Sequence, residues 1–135
     1  MPLRLMRILA LDYGSARCGC ALSDPTGTIV TPIDPVEHAA GKRGLATIAR
    51  LVSEREVQRV VVGLPLSLRG EDTAQTRETR EFAAVLSTRL GERVPVELHD
   101  ERFTTRIAAR QQDTSTSEDS RAAAVLLEDW LTRAQ

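Results

Sequence analysis

The chain has 135 residues, a net charge of −1, and 41% hydrophobic, 27% charged and 3% aromatic residues. That length fits one domain, 1–135, with a core large enough to fold without disulfide or metal staples. The near-neutral charge excludes a general nucleic-acid coat protein with a global basic field, and the scarcity of aromatics argues against base-stacking platforms.

No apolar stretch of about 18 residues and no basic-then-apolar leader is present, so the expected location is the cytoplasm, with no membrane span. Positive charge is almost all arginine, with Lys42 the single lysine. Guanidinium suits bidentate phosphate contacts, although a GC-rich genome gives the same bias. Cys18 and Cys20 lie two apart on a strand-like segment and face the same way. Two small buried hydrophobes are the expected reading, and an intersubunit disulfide is the lesser alternative.

In chain order, the hydrophobic pattern predicts strands at about 6–12, 17–23 and 28–33. Asp24-Pro25-Thr26-Gly27 forms the turn between the last two, which makes an antiparallel meander. From Gly44, the spacing of Leu45, Ile48, Ala49 and Val52 is that of one helix face. Val60-Val61-Val62 reads as a buried strand stopped by Gly63-Leu64-Pro65. A second helix follows from about Thr73 to Leu90, with Phe82, Val85, Leu86 and Leu90 inward and Asp72-x-x-Gln75 resembling a capping box. A strand at 94–99, a short helix at 104–111, a polar loop from Gln111 to Glu118 and a last helix at 117–133 complete the pattern.

The order βββαβαβαα predicts an α/β fold, a mixed five-stranded sheet flanked by helices in which strands one, four and five are parallel. Right-handed crossovers then bring Asp12, Gly63 and Glu101 to one edge of that sheet. Asp12 ends an unbroken apolar run, Ile8 to Leu11, and leads into Tyr13-Gly14-Ser15, the place where α/β sheets put ligand chemistry. Asp119 lies on the apolar stripe of the last helix with Ala123, Leu126, Leu127 and Trp130, whereas Glu128 and Asp129 fall off it as solvated charges.

Taken singly, each acid has an ordinary explanation: Asp12 as a turn residue, Glu101 as a surface acid beside Arg102, Asp119 as an acid on a helix dipole. Together they form an anionic cluster that needs cations. Oxygen-only ligands point to Mg²⁺ or Mn²⁺, and no Cys/His set competes for zinc. Arg69, Arg77 and Arg80 lie beside the same edge, and Arg102, Arg106 and Arg110 recur four apart behind Glu101. They could hold a phosphate backbone, or they could be solvated helix faces. His99 reads as a strand-end residue, not a catalytic base.

These residues also carry a resemblance. Leu11-Asp12-Tyr13-Gly14, Arg17-x-Gly19-x-Ala21-x-Ser23-Asp24-Pro25, Val62-Gly63-Leu64-Pro65, Asp100-Glu101-Arg102-x-Thr104-Thr105, Asp119-Ser120-x-Ala122-Ala123 and Leu127-Glu128-x-Trp130-Leu131 follow one another in order. The set resembles the YqgF/RuvX family over nearly the whole chain. The resemblance implies a ribonuclease H-like domain related to the Holliday junction resolvase RuvC, in a family described as resolvases and as nucleases maturing the 5′ end of pre-16S ribosomal RNA. It implies Asp12, Glu101 and Asp119 as the catalytic, metal-holding acids, with Gly14, Arg17, Arg102 and Thr104 joining the arginines in substrate binding. One departure stands out: Thr114-Ser115-Thr116-Ser117-Glu118 is short and lacks the basic residues usual before the third acid, which leaves Arg106, Arg110 or Arg121 to replace them.

The expectation is therefore a metal-dependent nuclease acting on structured nucleic acid, with pre-16S rRNA as the favoured substrate and branched DNA as the alternative. A non-catalytic nucleic-acid adaptor of the same fold is a rival. An actin-like ATPase or sugar kinase is another, disfavoured because 135 residues hold only one copy of the unit that such enzymes use in pairs. The assembly is left open between monomer and homodimer.

Overall fold

A computed structural model describes residues 6–102 and 118–134. The elements run β1 (Ile8–Asp12), β2 (Arg17–Ser23), β3 (Val30–Glu37), α1 (Lys42–Glu54), β4 (Arg59–Leu64), α2 (Ala74–Leu90), β5 (Val96–Asp100) and α3 (Glu118–Ala134). The strands form one mixed sheet in the order β3-β2-β1-β4-β5. β1 pairs antiparallel with β2 and parallel with β4, and β4 pairs parallel with β5. The C-terminal ends of β1, β4 and β5 therefore lie side by side, as expected from the sequence.

Both faces of the sheet are covered, which is why its central strands are apolar without alternation. On one face Leu9, Leu11, Val60 and Val62 pack with Ile48 and Val52 of α1 and Phe82 and Leu86 of α2. On the other, Ile8, Ala10 and Val61 meet Ala123, Leu126, Leu127 and Trp130 of α3. Each of the larger aliphatic side chains contributes roughly 1.5–3 kcal/mol when fully buried. Cys18 and Cys20 are free, fully buried thiols, inaccessible to a second subunit.

Several expectations shift in detail. β3 runs on to Glu37 because it is an edge strand, where Pro32 and Pro35 need no ladder donor. β4 includes Gly63 and Leu64 instead of stopping before them. The cap of α2 is Thr73 with Thr76, each side chain bonding the other's backbone N–H, and not Asp72 with Gln75. Thr76 also donates to the Pro65 carbonyl, tying the start of α2 to the end of β4. Val85 is 51% exposed, and the inward face is completed by Thr76 and Thr79 in its place. The short helix at 104–111 and most of the polar loop after it lie outside the described residues. Among the described residues, no helix is long and apolar enough to cross a membrane.

Candidate active site

Asp12 and Glu101 leave the ends of β1 and β5 and hydrogen-bond to each other across the intervening β4. This crossing requires Gly63: a Cβ there would overlap Glu101 Oε2 and press Leu126 Cδ2 at 3.0 Å. The Glu101 backbone N–H donates to the Leu64 carbonyl at 3.3 Å, carrying the strand pairing one residue past β5.

The third acid arrives from α3, which covers the same face of the sheet as the Glu101 carboxylate and Leu126. Gly19, the register partner of Asp12, lies so close to α3 that a Cβ would overlap the Asp119 carbonyl. Ser120, fully buried, accepts from Cys20 N–H at 3.3 Å and donates to the Ile33 carbonyl at 2.5 Å. One hydroxyl thus pins the first turn of α3 to β2 and β3 and fixes Asp119 beside Asp12. The charge of Asp119 acts on Asp12 directly.

Burial and mutual repulsion set the protonation of this group. Burial, then the charge of Asp119, push Asp12 up to about 6, and the hydrogen bond with Glu101 partly offsets them. Burial raises Glu101 to about 7, with the charges of Asp12 and Asp100 adding to it. Two carboxyls sharing one hydrogen bond titrate as a pair, so near neutrality the pair retains a proton. Among the described residues, no three His, Cys, Asp or Glu side chains stand in an arrangement ready to hold an ion.

The arginines divide into three groups. Arg17, 63% exposed, holds Asp119 at 3.5 Å from its Nε. Arg80 is paired with Asp72 through two bonds of 2.9 and 3.0 Å, and Arg102 with Asp100 at 2.6 Å. The Arg102 guanidinium holds Asp100 below the usual carboxylate range. Arg69 and Arg77 are exposed, on the β4–α2 loop and the first turn of α2. Gly14 lies where a Cβ would come within 2.7 Å of the Arg17 carbonyl, so its local role is to close the β1–β2 turn. Thr104, Arg106 and Arg110 lie outside the described residues.

Sequence reasoning missed a second polar cluster. His99 Nε2 lies 2.7 Å from Asp129, which also accepts from Arg133 at 2.9 Å. Asp129 is therefore not a solvated charge. Burial alone would raise it, but His99 and Arg133 hold it below the ordinary range. Beside it Glu97 bonds both Arg59, at 3.1 Å, and the Trp130 indole N–H. The cluster locks β5 to α3 and occupies His99, in keeping with a strand-end residue. The i, i+4 pair Asp129/Arg133 was a legible signal of a local bond, but nothing in the sequence linked it to His99.

Three acids from three elements at one end of such a sheet can be set against known proteins. A family model described as "RuvX: Holliday junction resolvase" matches residues 6–133. The chain belongs to the RuvX family. A relative from Chloroflexus aurantiacus named "Putative pre-16S rRNA nuclease" is 41% identical over 133 residues, covering 92% of this chain and 85% of the relative. One from Anaeromyxobacter sp., of the same name, is 43% identical over 134 residues, covering 93% and 96%.

Among solved structures, the T. thermophilus RuvC in complex with Holliday junction substrate superposes with a TM-score of 0.65 at 13% identity, covering 96% of this chain and 95% of the other. The Fowlpox virus resolvase bound to Holliday junction DNA gives 0.60 at 10% identity, covering 96% and 99%. Those likenesses establish the ribonuclease H-like fold of this RuvX chain. With the family they make it a nuclease, a hydrolase of ester bonds acting on nucleic acid.

Proposed function

We propose that this RuvX protein is a divalent-metal-dependent nuclease that trims the 5′ end of pre-16S rRNA in the cytoplasm. The observation that carries the reading is the convergence of Asp12, Glu101 and Asp119, from three different elements, at the C-terminal ends of β1 and β5. The donor set is all oxygen, which fits Mg²⁺ or Mn²⁺. Burial and repulsion raise two of the acids, a cost that a divalent cation would relieve. Asp12, Glu101 and Asp119 would hold it. A cation bound there supplies Lewis-acid activation of water and neutralises charge on the phosphate.

The chain's own residues do the rest. Asp12 and Glu101 would serve as ligands in their ionised form, and the bare Gly63 leaves the space beside it that the Glu101 carboxylate occupies. Arg17, largely exposed at one end of its contact with Asp119, is placed to take a phosphate of the incoming strand. Arg69 and Arg77 extend that grip along the β4–α2 side. Asp100 keeps Arg102 oriented next to Glu101. All three acids come from one chain, so the reading needs no second subunit.

The RNA substrate is favoured by the names of relatives 36–43% identical to this chain. Resolution of four-way DNA junctions is the second reading, favoured by the family description. Purified protein with Mg²⁺ or Mn²⁺, offered a labelled pre-16S leader RNA and a labelled four-way junction, distinguishes them. RNA cleavage that Asp12→Asn and Glu101→Gln both abolish is expected. Cleavage of the junction alone would overturn the RNA assignment.

A further inference from the structure

We infer that this chain carries a second binding site, away from the acids, for a small organic oxyanion, a phosphate ester or a carboxylate. A cavity of about 360 Å³ opens where the β5 edge of the sheet meets α3. Among the described residues it is lined by Arg59, Glu97, His99, Trp130, Arg133 and Ala134. That volume is in the range of small-molecule pockets. Val96 and Leu98 pack on the α1/α2 core, so Glu97 and His99 of the same strand face the other way, toward α3. The inference does not rest on the nuclease reading above.

Donors outnumber acceptors in this cavity, and that identifies the ligand's chemistry. Both Glu97 oxygens are engaged, Oε1 by Arg59 Nη1 at 3.1 Å and Oε2 by the Trp130 indole N–H. Asp129, outside the lining, takes the His99 ring nitrogen at 2.7 Å and Arg133 Nε at 2.9 Å. The carboxylates are thus matched, whereas Arg59 and Arg133 each bond through one nitrogen among the described residues and keep the rest of a five-donor fork. Arg59 Nε is buried with no acceptor at all. Such a donor is an unmet cost in the fold, and an anion in the cavity offsets it through its charge even while bonding other nitrogens of the fork. Guanidinium pairs of this kind match the oxygens of phosphate and carboxylate groups. Arg133 also stands in the last turn of α3, where it counters the negative end of the helix dipole.

The remaining lining sets the body of the ligand. Trp130 and Ala134 supply an apolar wall, and a bare inorganic anion would leave most of the space empty, so the oxyanion is carried on a flat or apolar group. The site is separate from the acids. Arg133 and Asp119 stand near opposite ends of α3, roughly 20 Å apart along its axis. Arg59 opens β4, at the end of the sheet opposite to the one from which Asp12 and Glu101 emerge.

Trp130 is the single tryptophan of the chain, so its emission reports on this cavity. Wild-type protein in EDTA at neutral pH is titrated with inorganic phosphate, phenyl phosphate and benzoate, each against KCl at matched ionic strength. At least one of the two organic anions should change the emission saturably and bind about tenfold or more tighter than inorganic phosphate, because only they fill the apolar part. The tighter of the two assigns the head group as phosphate ester or carboxylate. Arg59→Gln, which keeps an amide donor for Glu97, and Arg133→Gln should each weaken that binding about tenfold. A second readout needs no variant: the Nε–H NMR signals of Arg59 and Arg133 should shift during the titration, while that of Arg80, bound to Asp72, stays in place. No saturable change with any of the three anions, inorganic phosphate binding as tightly as the organic ones, binding untouched by both substitutions, or unmoved Arg59 and Arg133 signals would each overturn the site.

Discussion

The Glu101 carboxylate lies over the bare Cα of Gly63, and that contact is what lets it reach Asp12 across β4. A residue with any side chain at 63 would separate the pair while leaving each acid on its own strand. Gly63→Ala should therefore cost activity at least tenfold. Glu101 can swing its flexible end away, so the expected stability loss is only about 1–3 kcal/mol, mostly from the Leu126 contact. Cleavage assays and thermal melts on the same protein check this; full activity would mean that Glu101 works from another rotamer.

Asp12→Asn should abolish cleavage yet leave the metal-free protein at least as stable as wild type. Asp12 and Glu101 are raised in the fold to about 6 and about 7, from 3.8 and 4.5. A carboxylate whose folded value is raised destabilises the fold above that value and costs nothing below the unfolded one. The advantage of the mutant, on the order of 1–2 kcal/mol after allowing for partial exposure, should be full above about pH 7 and gone below about pH 4. Saturating Mg²⁺ should reverse the order, because wild type binds the ion more tightly. Melts in EDTA and in Mg²⁺ across that range decide it, and a mutant clearly less stable in EDTA at high pH would make Asp12 a structural turn residue.

Cleavage should require added Mg²⁺ or Mn²⁺ and stop in excess EDTA. At limiting metal it should rise with pH up to and through about 7, since Asp12 and Glu101 must shed their shared proton to become ligands. Ca²⁺ should bind without supporting turnover, its looser coordination misplacing the reacting groups. Undiminished cleavage under chelation would remove the metal from the mechanism.

Arg77 and Arg80 should differ although they sit one turn apart. Arg77 is exposed, whereas Arg80 is committed to Asp72 by two hydrogen bonds. Arg77→Ala should lower the slope of log K against log salt by roughly 0.7–0.9 per lost phosphate contact. Arg80→Ala should change the slope less and release Asp72 as a repulsive charge. Filter binding at several salt concentrations separates them; identical slopes for Arg77→Ala and wild type would return Arg77 to an ordinary solvated position.

The sequence alone determined the sheet, its parallel β1, β4 and β5, and the ends at which Asp12, Glu101 and Asp119 emerge. Those features follow from local periodicity and chain order: buried strands read as unbroken apolar runs, and crossovers have one hand. It could not show which acids touch, because contact across β4 depends on the missing side chain of Gly63, and that of Asp119 on the bare Gly19 and the hydroxyl of Ser120. The pairing of His99 with Asp129, 30 residues apart, and of Arg80 with Asp72, two turns away, is likewise a product of packing. Pattern fixes which face a residue occupies. Close approach between faces is set by three-dimensional packing, and it decides which carboxyls share a proton and which guanidinium groups remain available to phosphate.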